Sequence, residues 1–339
     1  MEPINGLSVK FVLCVLPPPT VWLLMRQDTH SPSSMLKDLL SKPFALAMAP
    51  GFFRIYAHVG VMETLYQAHL FDVRCAAGSS AGAMSAGFLC SGLTPTEMID
   101  KILRIKRPDI WDAEPDTMRL GLLKGELLQD IFETSMPLGT FEECAIPCGM
   151  TALDLLSMET KVLTTGSLAT NMRASCCFPI LFAPVYIKGR PHIDGGGWDR
   201  NGVVGIPSLP DDDTKLLVNI VFERQDCSDH YSMLPEALRQ AGATLLTIVV
   251  NGLVFCGPHN MDETGPASYR GAKRAMQKAL VQGCHLVMYG AKHYVCVIDA
   301  SDDGDDERSE KTGAVGDNKM PSRSQLKRKR SRSSMAANQ

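Results

Sequence analysis

Long apolar runs, strong charge of one sign, zinc-spaced cysteine pairs and internal repeats are all missing from this sequence, and each absence excludes something. The formal net charge is −3 over 339 residues, which argues against a protein built around nucleic acid and leaves membrane contact to local patches. The N-terminal apolar stretches 11–16 and 21–25 are separated by Pro17, Pro18 and Pro19. Three successive prolines forbid a continuous helix, so this is not a membrane span. The stretch also lacks the long apolar centre and small-residue cleavage site of a signal peptide. Of a poor targeting sequence, a membrane-surface anchor and a poorly ordered leader, the last is expected for residues 1–42. The eleven cysteines are scattered and odd in number, several within apolar runs, such as Cys14, Cys176, Cys177 and Cys296. They read as reduced, mostly buried thiols, as in a cytosolic protein. Cys144 and Cys148 have no second pair at zinc spacing, so no metal is expected.

What is present is an ordinary globular composition, 45% apolar, enough for a sizeable core in one large domain or two small ones. The chain is organised around residues 75–84, which contain Gly78-Ser79-Ser80-Ala81-Gly82. Residues 70–77 read as a strand and 81–89 as a helix of small residues. A strand, a sharp turn and a helix are the context of a nucleophile elbow, with Ser80 at the tip in a strained backbone. Gly78 and Gly82 are glycines there because a Cβ would collide with the adjoining strand and helix. The helix N-terminus behind Ser80 favours an oxyanion. Read without chemistry, the same stretch is a Gly/Ser-rich strand-to-helix turn.

The remaining chain extends an α/β pattern. Strands are expected at 44–49, 147–153, 161–165, 182–187, 191–193, 215–222 and 294–298. Helices are expected at 56–69, 95–104, 124–132, 168–175, 234–255 and 269–281. Thr94, Pro95 and Glu97 form a capping box with proline at the first helical position. Residues 107–118 read as a loop. From 301 to 339 the sequence is first acidic and then basic without apolar periodicity, the pattern of a disordered charged tail. The run 327–330 is a nuclear address, a contact to anionic lipid or, most simply, a solvated tail.

A serine nucleophile needs a base. Asp194 closes a strand and is followed by Gly195, Gly196 and Gly197, so its carboxylate can approach a serine with nothing bulky beside it. A plain Asp-Gly turn is the alternative. A Ser-His-Asp hydrolase would require a histidine after the acid. His230, His259, His285 and His293 are available, and each reads as a surface or packing residue.

Together these residues resemble the patatin-like phospholipases, over about 43–299. The elbow at Ser80, the Asp194-Gly195-Gly196 motif, the segment 173–179 followed by Pro184, and the helix start 57–61 occur in the family's order and spacing. The resemblance implies a three-layer α/β/α fold with a mostly parallel central sheet over 43–300. It implies a lipid acyl hydrolase without cofactor or metal, using Ser80 as nucleophile and Asp194 as base, with no histidine. The implied substrate is a phospholipid, lysophospholipid or neutral glyceride. The implied setting is intracellular, in the cytoplasm or at a membrane or lipid-droplet surface, with nucleus and organelles left open; no specific nucleic acid is implied.

One departure bears on activity. The family's oxyanion loop reads Gly-Gly-Gly-x-Arg-Gly, and here the register gives Pro50-Gly51-Phe52-Phe53-Arg54-Ile55. The backbone N–H groups of Gly51, Phe52, Phe53 and Ala81 are the expected oxyanion donors, with Arg54 retained. A bulky residue at φ > 0 costs about 1–3 kcal/mol, and one lost donor costs about 10²–10³ in rate. Either the loop takes another path or the hole is poorer, so a catalytically impaired lipid-binding or regulatory protein is the competing reading. The apolar stretches 178–182 and 253–255 read as core sooner than as an acyl groove.

Overall fold

The computed structural model describes residues 32–113, 121–206, 209, 214–223 and 227–301. In chain order the first half contains α1 (Pro32–Leu40), β1 (Phe44–Met48), α2 (Ile55–Gln67), β2 (Val73–Ser79), α3 (Ala81–Cys90), α4 (Pro95–Ile102), α5 (Arg107–Ile110), β3 (Gly121–Leu123), α6 (Glu126–Ser135), β4 (Cys148–Asp154) and β5 (Glu159–Leu163). The second half contains α7 (Leu168–Ser175), β6 (Ile180–Phe182), β7 (Val185–Ile187), β8 (Arg190–Asp194), β9 (Leu216–Phe222), α8 (Glu236–Gln240), β10 (Thr244–Asn251), α9 (Met261–Gln282), β11 (His285–Tyr289) and β12 (His293–Asp299).

The main sheet has the order β11-β12-β10-β9-β1-β2-β4-β8-β7, with β5 also paired to β4. From β12 to β4 the pairs are parallel. The pairs β11–β12, β4–β5, β4–β8 and β7–β8 are antiparallel. This is the α/β class with a mostly parallel sheet. Side chains alternate across the sheet, as a strand dictates. Phe44, Leu46 and Met48 enter the large core beneath α2, α3 and α9. Ala45 and Ala47 face a second core with Val203, Ile206, Leu234 and Leu238, so α8 and the loop after β8 form a thinner layer on that side.

The capping box at Thr94 forms as expected: its hydroxyl accepts from the Glu97 N–H, and the Thr94 N–H donates to the Glu97 carboxylate. Three expectations need correction. The helix expected at 234–255 is only the short α8, and Thr244–Asn251 is strand β10. Residues 245–250 are buried without alternation, because a strand covered on both faces reads as a continuous apolar run. The β-branched Thr247, Ile248, Val249 and Val250 favour the strand. Residues 107–110 form α5 within the expected loop, and the rest of that loop beyond 113 lies outside the described residues. Of the expected leader, residues 1–31 lie outside the described residues, while α1 packs with Leu36 and Leu40 fully buried, so folded structure begins before residue 43. The expected tail lies outside the described residues from 302 onward. Among the described residues, no helix is long and apolar enough to cross a membrane.

One feature of register positions the site. On β4, Met150 and Thr151 pair with Gly78 and Ser79 of β2, and simultaneously with Leu163 and Val162 of β5. One residue on, Ala152 pairs with Asp194 of β8 and with Lys161 of β5. Since β5 occupies one edge throughout, β2 and β8 share the other edge. They arrive from opposite directions, and their C-terminal ends meet between Thr151 and Ala152.

Candidate active site

Ser80 sits where β2 turns into α3, at φ 52° and ψ −118°, a conformation rarely populated by a non-glycine residue. Close packing fixes it. A Cβ on Gly78 would lie 2.2 Å from the Gly82 carbonyl carbon, and one on Gly82 would lie 1.9 Å from the Met48 carbonyl oxygen. Both positions therefore require glycine, for the steric reason expected. The Ser80 N–H donates to Ser175 Oγ at 2.9 Å, and Ser175 Oγ donates to the Thr151 carbonyl at 2.7 Å. The strained residue is thus tied through α7 to the strand that pairs with β2.

Ser80 Oγ donates to Asp194 Oδ2 at 2.7 Å. The other carboxylate oxygen accepts the Gly196 N–H at 2.7 Å. Asp194 is 6% exposed, and burial pushes its pKa up to about 6, against the hydrogen bonds from Ser80 and Gly196 that favour the ionised form. A carboxylate near that value can take a proton from a bound hydroxyl at neutral pH. A Cβ on Gly195 would meet the Thr151 carbonyl oxygen at 2.4 Å, and one on Gly196 would meet Pro50 Cβ at 2.6 Å. Both glycines after Asp194 are therefore packing requirements.

Sequence reading missed two supports, Ser175 and Asp199. Asp199 is 2% exposed. It accepts from Thr151 Oγ1 at 3.0 Å and from backbone N–H groups of Gly202, Val203 and Val204. It fastens the loop after β8 to the centre of β4. The only signal available was an acidic residue five positions after Asp194, which has no meaning without the fold.

The loop before α2 takes a left-handed turn despite its bulky residues. Gly51 has φ +150° and Phe52 has φ +47°, so the bulky residue does occupy the left-handed region. Its ring packs against Phe178 and Phe255, both with centroids at 5.3 Å. Among the four expected donors, Phe53 is engaged: its N–H donates to the Cys256 carbonyl at 3.2 Å. The N–H groups of Gly51, Phe52 and Ala81 have no partner among the described residues. Arg54 is buried, donating to the Val254 carbonyl at 3.0 Å and pairing with Glu223 at 3.1 Å. Together these contacts strap the segment around Val254–Cys256 to the loop.

Ser80 and Asp194 open into a cavity of about 540 Å³ walled by Met84, Leu128, Cys176, Phe178, Leu181 and Phe182, with Gly51, Phe52, Trp198 and Arg200 also lining it. Of the stretch 178–182, expected as core, Phe182 is buried in the large core and Leu181 packs against it while both also wall the cavity, whereas Phe178 and Ile180 project outward at 46% and 79% exposed. Val254 and Phe255, likewise expected as core, are exposed. Among the described residues, no histidine lines this cavity. His230 and His293 stack on each other at 6.3 Å, and His259 stacks on Phe255. Among the described residues, no group of three or more His, Cys, Asp or Glu is arranged to hold a metal ion.

Residues 46–203 match the family model described as patatin-like phospholipase. Uncharacterized NTE family proteins of Mycobacterium bovis and Mycobacterium tuberculosis are each 30% identical over 152 residues, 45% of this chain and 42% of theirs. The matched region thus spans less than half the length of those relatives. Among solved structures, VipD from Legionella pneumophila aligns at 13% identity and a TM-score of 0.36, over 71% of this chain and 56% of its own. The ExoU–SpcU complex of Pseudomonas aeruginosa aligns at 16% identity and 0.38, over 70% and 52%.

Proposed function

The chain belongs to the patatin-like phospholipase family through residues 46–203, and from that premise we propose that it is a serine acyl hydrolase cleaving carboxylic esters of lipids. The observation that carries this reading is the 2.7 Å hydrogen bond from Ser80 Oγ to Asp194 Oδ2 at the wall of an apolar cavity. Asp194 takes the proton as Ser80 Oγ attacks the ester carbonyl. The N–H groups of Gly51, Phe52 and Ala81 receive the oxyanion. The alcohol leaves with the proton, and water activated by Asp194 then hydrolyses the acyl-enzyme. The apolar wall takes the acyl chain. Exposed Phe178, Ile180, Trp198 and Phe255 support a site that works against a membrane or lipid-droplet surface. The hydrolase domain is read as residues 43–300, with α1 packed on it.

A second reading, a weak catalyst retained for lipid binding, is favoured by one observation: the Phe53 N–H is spent on Cys256. A fluorophosphonate probe separates the two. Covalent labelling of the full chain that disappears in Ser80→Ala supports the hydrolase. A wild-type chain that resists labelling supports the lipid-binding protein. The Ser-His-Asp reading requires that replacing His230, His259, His285 or His293 abolish labelling; the dyad reading requires that none do so.

A further inference from the structure

Among the described residues, Asp194 and Arg200 are the only charged side chains lining the cavity, and they sit at different depths: Asp194 is buried and Arg200 is exposed. The loop between them sets that difference. The N–H groups of Trp198 and Asp199 both donate to the Gly195 carbonyl, at 3.0 and 2.9 Å. Asp199 turns inward to Thr151, which leaves its neighbours on either side facing out, Trp198 being 54% exposed. Both neighbours line the cavity. Among the described residues, Arg200 has no ion-pair partner.

A guanidinium with no ion-pair partner among the described residues, at the rim of an apolar acyl site, offers a planar fork of donors that matches a phosphate. Beside it, an exposed indole is the side chain that settles at headgroup depth when a surface meets lipid. A neutral glyceride would leave this guanidinium unused. An acyl ester that also carries a phosphate would engage it, while Arg200 keeps that negative charge at the exposed rim and Asp194 stays buried. We propose that Arg200, with Trp198 beside it, is a phosphate subsite that makes phosphate-bearing acyl esters the preferred substrate class over neutral glycerides. This rests on the hydrolase reading of Ser80 and Asp194, and assigns the specificity of that same site.

A charge-assisted hydrogen bond of about 1.5–3 kcal/mol corresponds to about 10- to 100-fold in kcat/KM, and exposure puts Arg200 at the lower end. The test uses the full chain and two substrates with one acyl chain, a lysophospholipid and a monoacylglycerol, in neutral detergent micelles. The readout is the ratio of their kcat/KM values. That ratio should favour the lysophospholipid, fall about tenfold in Arg200→Gln and recover in part in Arg200→Lys. Added salt should reduce it too, by screening an exposed contact. An unchanged ratio in Arg200→Gln, in a chain whose Ser80 still takes the fluorophosphonate, overturns the subsite alone. Failure of the wild type to label overturns the hydrolase reading. The subsite then stands or falls on binding: Ser80→Ala should hold lysophospholipid-doped micelles more tightly than monoacylglycerol-doped ones, and Arg200→Gln on that background should abolish the difference. Equal affinity in Ser80→Ala overturns it.

Discussion

Ser80 donates its hydroxyl to Asp194 across 2.7 Å although 114 positions separate them. The contact follows from two strands ending head to head on one edge of β4, with Ser79 opposite Thr151 and Asp194 opposite Ala152. The geometry therefore depends on backbone register more than on the attraction between the two groups. A register is hard to shift when both strand ends are buried, and Gly195 allows the close approach, lying where a Cβ would be 2.9 Å from Ser79 Oγ.

The first prediction concerns pH. Because burial raises the Asp194 pKa to about 6, and the proposed mechanism uses the ionised form as base, kcat/KM for an ester should rise with pH through about 6 and then level off. Asp194→Asn keeps the shape and removes the base, so the limb should vanish and the rate should fall by about 10²–10⁴, the usual size of a general-base contribution. A stopped assay across the slightly acid range checks both. A limb that persists unchanged in Asp194→Asn would assign the titration to another group.

The second prediction concerns Gly82. An alanine there sets a Cβ 1.9 Å from the Met48 carbonyl oxygen, a backbone atom that cannot swing aside. The elbow and β1 must move apart, at about 1–3 kcal/mol for overpacking or more. Thermal unfolding of Gly82→Ala should show a clear loss, and labelling of Ser80 should fall with it. Gly166→Ala has nothing within 4 Å of its Cβ but φ +82°, so it should cost only the left-handed strain and leave labelling intact.

Much of this was readable before any coordinates. Gly78, Ser80 and Gly82 announce the sharp strand-to-helix turn, and Asp194 with its glycines announces a strand end open to close approach, because both rely on local backbone requirements that only certain residues meet. β10 was not readable: Leu245 to Val250 are buried on both faces, so the period that separates strand from helix is absent. Ser175 and Asp199 were not readable for another reason. Their meaning lies in Thr151, a partner that only the sheet brings near. The behaviour of Phe52 was half readable; the sequence implies strain at φ > 0, and only the fold supplies Phe178 and Phe255 to hold the ring.

The third prediction follows from that residue. At an ordinary position glycine is less stabilising than alanine. At φ +47° the order should invert, since alanine keeps the left-handed strain and loses the aromatic contacts, while glycine loses only the contacts. Phe52→Gly should therefore be more stable than Phe52→Ala by about 1 kcal/mol. Chemical denaturation of the two variants measures this. Alanine proving the more stable would mean that residue 52 does not take the left-handed conformation in solution.

The fourth prediction uses His58, which is fully buried, with Nδ1 3.0 Å from Ser85 Oγ and its ring 4.7 Å from Phe222. Burial, and to a lesser degree the positive Arg54, push its pKa down to about 3. Between the ordinary value of 6.5 and that lowered value, the unfolded chain binds a proton that the folded chain refuses, so stability falls as pH falls across the window. His293, pushed down to about 4, acts in the same sense. Asp194 and Asp199 act in the opposite sense, since burial raises each to about 6; the folded chain then holds protons that the unfolded chain has released, and stability falls as pH rises toward 6. In the wild type these contributions offset one another, so the His58 effect must be isolated by difference. Asn places an amide nitrogen where Nδ1 stands and does not titrate. Relative to wild type, His58→Asn should gain about 1.4 kcal/mol per pH unit on acidification below 6.5, read from denaturant midpoints at a series of pH values. A difference that stays constant with pH would mean that folded His58 takes up its proton normally, and that its pocket opens to water.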